Sequence, residues 1–474
     1  MKRLWQRRQK GMPKFVNDGE IKKLDRYSED EVILLFNRYS ADSRRLHASF
    51  KQAGCNPIAV AIEDDGFLPG DVMSVYGYFT GANGEKQKGA GKRSCYNEIA
   101  VPGSRETDGM GEYDRYQTRG KLFYAGLRHK RQVKTVNWYD ERDTIRTSDH
   151  YNRYGAVYAR TTYDAMGKRA GKSWLSPEGA EVISEDFATG AVLLNEGGEV
   201  KSFREKLDLV LYFFRKTGFE QRRIFYNSLS MPFFVSNRLP ASGKRDVLFW
   251  QEPVGDEIPW NMQMILRGKA RRTAEVMVQR RTPYEKLMEL GADAGMVHRL
   301  GLVYRFRREN GYKPEALICT NSENVEHCRE IVSALPEMHF HIAALTMMSP
   351  KLMRVGEYEN VTLYPAAGKE EICELFRKCD FYLDINHMGE IVSAVYRAFL
   401  HNLLIFAFEE TAHNRDYVAK ERIYPVRNWE GMAEDIQVIM RNEKLMERCL
   451  KRQREAALAE DEVAYGGVIE ESES

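Results

Sequence analysis

The sequence predicts an α/β chain of two doubly wound, Rossmann-like domains in tandem, the first interrupted by an antiparallel β-meander. Three observations carry that expectation. Residues 28–69 and 204–300 alternate amphipathic segments with short apolar runs, residues 70–203 alternate polar with aromatic or β-branched residues, and the first rhythm resumes over 301–440. A chain of 474 residues with 43% hydrophobic content has material for two or three cores.

In chain order, ILLFNRYSADSRRLHASFKQAG reads as an amphipathic segment with Leu46, Phe50 and Ala53 at helical spacing and Gly54 as its stop. The apolar run from Pro57 to Ile62 then suits a strand buried on both faces, the first strand of this domain. Asp64 and Asp65 after it fit either a base at the cleft floor or a turn of short acidic residues before Gly66. In the meander, Asp164 to Gly167, Ala188 to Gly190 and Asn195 to Gly198 are short glycine-bearing hairpin connections. Half of Trp138, Tyr139, Tyr151, Tyr154, Tyr158, Tyr163 and Trp174 belong to a packed face by alternation, and a free face or edge would dock a like sheet.

The αβ rhythm returns with KLDLVLYFFRKTG, RIFYNS, MPFFVSNRL, DVLFWQE, IPWNMQMILRG and AEVMVQ, and with TPYEKLMELGA, where Thr282 is the expected cap and Pro283 the first helical residue. ALICT, HFHIAAL, VTLYP, FYLDI, NLLIFAF and RIYPV are the strands of the second domain. NHMGEIVSAVYRAFLHN reads as a helix after FYLDI, and residues 431–458 as one long helix; 441–474 make a C-terminal helix and acidic tail.

With 71 basic and 69 acidic side chains, the net charge of +2 gives no reason to expect a nucleic-acid partner. No run approaches the roughly 18 apolar residues of a membrane helix, so a cytoplasmic location is expected. Residues 1–26 carry nine Lys or Arg against three acids, and AEDEVAYGGVIEESES has acids and no bases. The basic tail, 1–27, is either solvated or a peripheral contact with the inner face of the cell membrane or an acidic partner. RGKARR, 267–272, fits a solvated face better than a membrane contact. The cysteines, Cys95 among them, form no CxxC pair or zinc spacing, so buried thiols, no metal and no cofactor are expected.

Doubly wound domains bind ligands outside the carboxyl ends of their strands. Asn386, His387 and Glu390 follow FYLDI, and Thr411, His413 and Asn414 follow NLLIFAF. Gln251, Glu252, Trp260 and Asn261 leave DVLFWQE and enter the next helix. Each set suits a ligand or acceptor cleft, or local helix capping.

Two such domains facing across a cleft are the architecture of GT-B glycosyltransferases. FYLDINHMGEIVSAVYRAFLHNLLIFAF resembles the segment by which retaining GT-B transferases hold a sugar nucleotide, where one acid opens the helix and another lies eight positions on. Here Gly389 and Arg397 stand at those positions, with Glu390 one residue away. The turn that in active members brings a base to the diphosphate reads ICTNSENVEH, with Glu323 and Glu326 and no Lys or Arg. Together with IEDDGFLP, RIFYNSLSMPFFV, LFWQEPVGDEIPWNMQMIL, YLDINH and FEETAHN, residues 28–440 look like the glycosyltransferase-stabilising proteins of GtfB type from the accessory Sec pathway of Gram-positive bacteria. The resemblance implies a catalytically silent subunit. It would pair through its β-sheet with a homologous, active transferase that moves N-acetylglucosamine from UDP to Ser and Thr of serine-rich repeat adhesins before export, and would help hold that acceptor. The alternative is an active UDP-sugar transferase using Glu390 and the TAHN loop.

Overall fold

The computed structural model describes residues 32–82, 106–107, 111–114, 117–125, 132–241 and 245–470, so the tail at 1–27, Cys95 and residues 471–474 lie outside the described part. The described part opens with β1 (Val32–Arg38), α1 (Ala41–Gln52), β2 (Ile58–Glu63), β3 (Val72–Ser74) and α2 (Val75–Thr80). It then runs through β4 (Glu106–Thr107), β5 (Gly111–Asp114), β6 (Gln117–Tyr124), β7 (Val133–Tyr139), β8 (Ile145–Tyr151), β9 (Val157–Tyr163), β10 (Arg169–Leu175), β11 (Glu181–Asp186), β12 (Val192–Glu196) and β13 (Glu199–Phe203). The return is α3 (Lys206–Thr217), β14 (Arg223–Tyr226), α4 (Met231–Arg238), β15 (Asp246–Trp250), α5 (Trp260–Leu266), β16 (Thr273–Val278), α6 (Arg281–Glu289) and β17 (Val297–Arg299).

β1–β3 and β14–β17 form one parallel sheet in the order β17-β16-β15-β14-β1-β2-β3, and β4–β13 form a ten-stranded antiparallel meander in sequence order. Past a linker come β18 (Glu315–Cys319), α7 (Cys328–Ala334), β19 (His339–Ala343), α8 (Pro350–Met353), β20 (Val361–Tyr364), α9 (Lys369–Lys378), β21 (Phe381–Asp384), α10 (Ala394–Leu400), β22 (Leu404–Phe408) and β23 (Ile423–Tyr424). These strands make a second parallel sheet, β20-β19-β18-β21-β22-β23. The chain ends with α11 (Trp429–Met440), α12 (Glu443–Ala456) and α13 (Glu462–Glu470). This is the expected α/β architecture: two doubly wound lobes, with the meander inserted in the first.

Several expectations need correction. The amphipathic segment at the start is a strand followed by a helix: Val32 to Phe36 are all buried, which no helical stripe would allow, and the Ser40 hydroxyl caps α1 by accepting from Ser43 N–H at 3.2 Å. The PIAVAI strand is therefore the second, not the first. β3 pairs with β2, so the first sheet continues past residue 69 before the chain leaves it. Thr282 does not cap α6, which starts at Arg281, two residues before the expected Pro283, with Arg280 as its cap. NHMGEIVSAVYRAFLHN is mostly loop, with α10 only from Ala394, and the long last helix is broken where the Asn442 side chain caps α12 by accepting from Leu445 N–H at 3.0 Å. Arg272 of the basic cluster is not solvated: it is fully buried, its Nε 3.0 Å from the equally buried Asp246 carboxylate.

The acidic end is partly core as well. α13 crosses back to the first lobe, where the ring of fully buried Tyr465 meets Phe50 edge-on at 4.9 Å. Its hydroxyl donates to Gly301 O and accepts from Gln279 Nε2, both at 2.7 Å. A Cβ on Gly301 would lie 1.5 Å from Leu458 O, so only glycine lets the linker pass under the C-terminal segment.

The meander is fastened to the first lobe by aromatic packing. Tyr76 of α2 stacks on Trp174 of β10 at 4.0 Å, within a cluster that includes Ile183, Leu194 and Leu209. Asp64 and Asp65 serve this junction as turn residues: each carboxylate accepts a backbone N–H two residues on, from Gly66 at 2.7 Å and Phe67 at 3.0 Å. Lys134 of β7 pairs with Asp65 at 2.7 Å, and the Tyr158 hydroxyl donates to Asp64 O at 3.1 Å.

Candidate functional site

In the second sheet the chain steps from β18 outward to β20 and then returns to place β21 beside β18, so the topological switch point lies between β18 and β21. The loops that leave their carboxyl ends flank the crevice where a ligand is expected. Here those two loops are stitched together. Val325 and Asn386 form an antiparallel bridge, Glu326 N–H donates to Ile385 O at 2.8 Å and His387 N–H to Asn324 O at 3.1 Å. The His387 ring closes the corner with a hydrogen bond to the Glu326 carboxylate. Asn386 is buried, and its Oδ1 accepts from the Thr320 hydroxyl at 3.0 Å.

A second group of contacts organises the loop after β22. Both ring nitrogens of His413 face acceptors, Nδ1 the Asp384 carboxylate and Nε2 the Met388 carbonyl, each at 2.6 Å. An imidazole with two acceptors carries two protons, and the hydrogen bond with Asp384 pushes its pKa up to about 9. Thr411 donates to Asp384 O at 2.7 Å, while the Asn414 side chain accepts from Asp416 N–H at 3.2 Å. Glu390 caps α10, accepting from Val395 N–H at 2.8 Å, after a turn in which Val392 and Ser393 hold φ of 51° and 53°. Desolvation pushes the Glu390 carboxyl up, and the nearby Asp384 adds to it.

The structure thus brings Asn386, His387, Glu390, Thr411 and His413 together around the ends of β21 and β22, with each polar group already engaged. At the two acidic positions, a side chain on Gly389 would meet open space, whereas the Arg397 guanidinium lies 3.9 Å from Cys373 Sγ on α9. The other expected residues form a separate group. Buried Gln251 accepts from Asn227 Nδ2 at 2.9 Å and donates to Asp42 O at 3.2 Å, beside the corresponding switch point between β1 and β14. Asn261 holds Leu229 O at 2.7 Å, while Trp260 is 67% exposed in the first turn of α5. Glu252 has its carboxyl raised by desolvation and by Asp42. No hydrogen bond or ion pair joins the two groups among the described residues.

Sequence reasoning missed the residues that join the lobes and the acid that holds His413. Arg280 reaches Asp42 at 2.7 Å within the first lobe, and Arg45 beside it stacks over Tyr396 of α10 at 4.1 Å. Thr282 N–H and hydroxyl both donate to Asp416 Oδ1, at 3.0 and 2.7 Å. Only Asp384 left a signal, an acid within the apolar run FYLDI, which must find a partner once buried.

Two parallel doubly wound lobes with an inserted meander define a glycosyltransferase-like protein of GT-B type. A crystal structure of the pneumococcal O-GlcNAc transferase GtfA in complex with UDP and GlcNAc shares this fold at a TM-score of 0.57, with 11% identity over 94% of this chain and 98% of that one. A chain in the crystal structure of a GtfA/B complex bound to UDP and GlcNAc matches at a TM-score of 0.82 and 34% identity, over 93% of this chain and all of that one. Four family models match in succession: the GtfB N-terminal domain over residues 33–79, the middle domain over 107–204, the third domain over 206–290 and the GftB/GlyA-F C-terminal domain over 316–453. The UDP-N-acetylglucosamine–peptide N-acetylglucosaminyltransferase stabilizing protein GtfB of Streptococcus agalactiae is 38% identical over 83% of this chain and 89% of its own length. That of Streptococcus pneumoniae is 36% identical over 92% and 98%. The chain belongs to the GtfB family of glycosyltransferase-stabilizing proteins.

Proposed function

We propose that this chain is the catalytically silent subunit of a protein O-glycosylation complex, stabilising a homologous UDP-GlcNAc-dependent peptide transferase and helping to hold its serine-rich repeat acceptor. The observation that carries the proposal is the stitched switch point. A sugar nucleotide needs open backbone N–H groups and positive potential for its diphosphate, and here that corner is filled by the Val325–Asn386 bridge and the Glu326–His387 pair. The names of the relatives support the same role, since they are called stabilizing proteins of a transferase.

The cleft between the lobes is then free for an extended polypeptide. Exposed Trp260 and Glu252 of the first lobe supply an aromatic face and a carboxyl group that suit an unfolded chain rich in hydroxyls and amides. Export of the glycosylated adhesin through the accessory Sec route, and contact of residues 1–27 with the inner membrane face, belong to the same proposal. No helix among the described residues is long and apolar enough to cross a membrane.

The test is transfer of N-acetylglucosamine from UDP to a serine-rich repeat polypeptide, by the purified chain and by the chain coexpressed with a homologous active transferase. Transfer only in company is the expected result; transfer by the chain alone overturns the proposal.

A further inference from the structure

At the edge of the second sheet away from the crevice, α9 and α10 end just before β21 and β22 begin. There the linker between the lobes borders a cavity of about 890 Å³, a size typical of small-molecule sites. Its wall carries Arg45 of α1, Arg305, Arg307 and Arg308 of the linker, Arg377 at the end of α9 and His401 at the end of α10, and no Asp or Glu. Because the crevice lies at the carboxyl ends of these strands and the cavity at their amino ends, the two are separate sites.

Basic residues at helix C-termini often do no more than offset the helix dipole, and α1, α9 and α10 all end near here. Three of the arginines also have acidic partners outside the wall: Arg45 pairs with Asp42 at 2.7 Å, Arg308 with Asp380 at 2.5 Å and Arg377 with Glu374. Neither fact accounts for Arg305 and Arg307. They sit on the linker, are exposed, and form no ion pair among the described residues. Burial holds the His401 imidazole below its ordinary pKa, against the raising effect of its bond to the Arg397 carbonyl, and the charges of Arg307, Arg308 and Arg377 act in the same direction as burial.

We propose that this cavity binds a small molecule bearing a diphosphate or longer phosphate chain. Planar guanidinium forks lining one half-open cavity match several phosphate oxygens at once, whereas a single monovalent anion would neutralise little of the charge. A recessed cavity suits a free molecule better than the flat surface of a bilayer. Since Arg45 belongs to the first lobe and Arg377 and His401 to the second, the bound molecule would tie the lobes together.

The experiment uses the full chain, with inorganic pyrophosphate and tripolyphosphate as probes in thermal unfolding and calorimetric titration. Saturable binding that raises the unfolding midpoint is expected, weakened at least tenfold in the Arg305→Ala/Arg307→Ala variant. Those two side chains are exposed, so the unliganded variant should unfold at the same midpoint. The Gly389→Glu variant, altered only at the crevice and in open space, should bind as the parent does. Absence of saturable binding, or equal binding by the linker variant, overturns the proposal. It is overturned as well if the linker variant keeps pyrophosphate binding and loses binding only to phosphatidylglycerol vesicles. Because transfer activity is not measured, failure here leaves the proposed role in the transferase complex standing.

Discussion

The Glu390 carboxylate accepts a hydrogen bond from Val395 N–H at 2.8 Å, so the acid nearest the expected donor-gripping position is engaged in capping a short helix. A group held this way satisfies backbone that would otherwise be orphaned at the start of α10. Replacing it by Ala should cost about 1 kcal/mol of stability. Equilibrium urea denaturation measures this, and formation of the transferase complex should be unaffected. A variant of unchanged stability would show that the cap is not formed in solution.

His413 sits between the Asp384 carboxylate and the Met388 carbonyl, and its pKa is raised to about 9. A raised folded-state value means that the charged pair stabilises fully below the unfolded His pKa of about 6.5 and that this contribution is lost as pH rises through 9. Stability should therefore fall between pH 6.5 and 9 by about 1 to 2 kcal/mol once solvent screening is allowed for. The imidazole midpoint can be followed by NMR, and in Asp384→Asn it should drop to 6.5 or lower. A midpoint in the parent near 6.5 contradicts the assignment.

Much of this architecture is legible in the sequence for physical reasons. A strand buried on both faces must be a continuous apolar run, so PIAVAI, DVLFW, FYLDI and LLIFAF announced themselves. β1 did not, because its VILLF run adjoins the helical spacing of Leu46 and Phe50, and a short apolar run does not reveal its own period. The fates of Thr282 and Tyr465 were hidden for a different reason. Both are decided by partners more than 130 residues away in sequence, Asp416 for the one and Gly301 with Gln279 for the other. Sequence could place Asn386 and His413 at strand ends, but whether such side chains face a ligand or each other is a tertiary question.

Thr282 and Asp416 join the lobes through two hydrogen bonds to one carboxylate oxygen, flanked by the Lys420–Glu285 pair at 2.8 Å and by Arg281 donating to Arg415 O at 2.5 Å. A double-mutant cycle with Thr282→Val and Asp416→Ala should give a coupling of about 0.5 to 2 kcal/mol in thermal unfolding. The Lys420→Ala change alone, at an exposed pair, should cost under about 1 kcal/mol. A coupling of zero would mean that the lobes do not rest against each other here.

Tyr465 returns the end of the chain to the first lobe, where its ring and hydroxyl are both engaged. Tyr465→Phe removes only the hydroxyl, leaving Gly301 O and Gln279 without this partner, and should cost about 1 to 3 kcal/mol. Tyr465→Ala adds a cavity and should cost about 3 to 5 kcal/mol. Both values come from the midpoint and slope of denaturant unfolding, and a loss below 1 kcal/mol in the Ala variant would place α13 outside the core.

Restoring acids at the two altered positions separates motif loss from closure of the crevice. Gly389→Glu meets open space, so the side chain can be accommodated without strain, and Arg397→Glu removes a guanidinium whose one hydrogen-bonding contact among the described residues is Cys373. If missing carboxylates were the whole deficit, the double variant should hydrolyse UDP-N-acetylglucosamine. The expected outcome is none, because the loops after β18 and β21 remain bridged at Val325 and Asn386, and the Glu326 carboxylate still faces the corner a diphosphate would need. Opening that corner as well, with Glu326→Ser and His387→Gly, should restore weak UDP binding before any hydrolysis appears. Hydrolysis by the double variant, with the bridge intact, would show that two carboxylates alone separate this subunit from an enzyme.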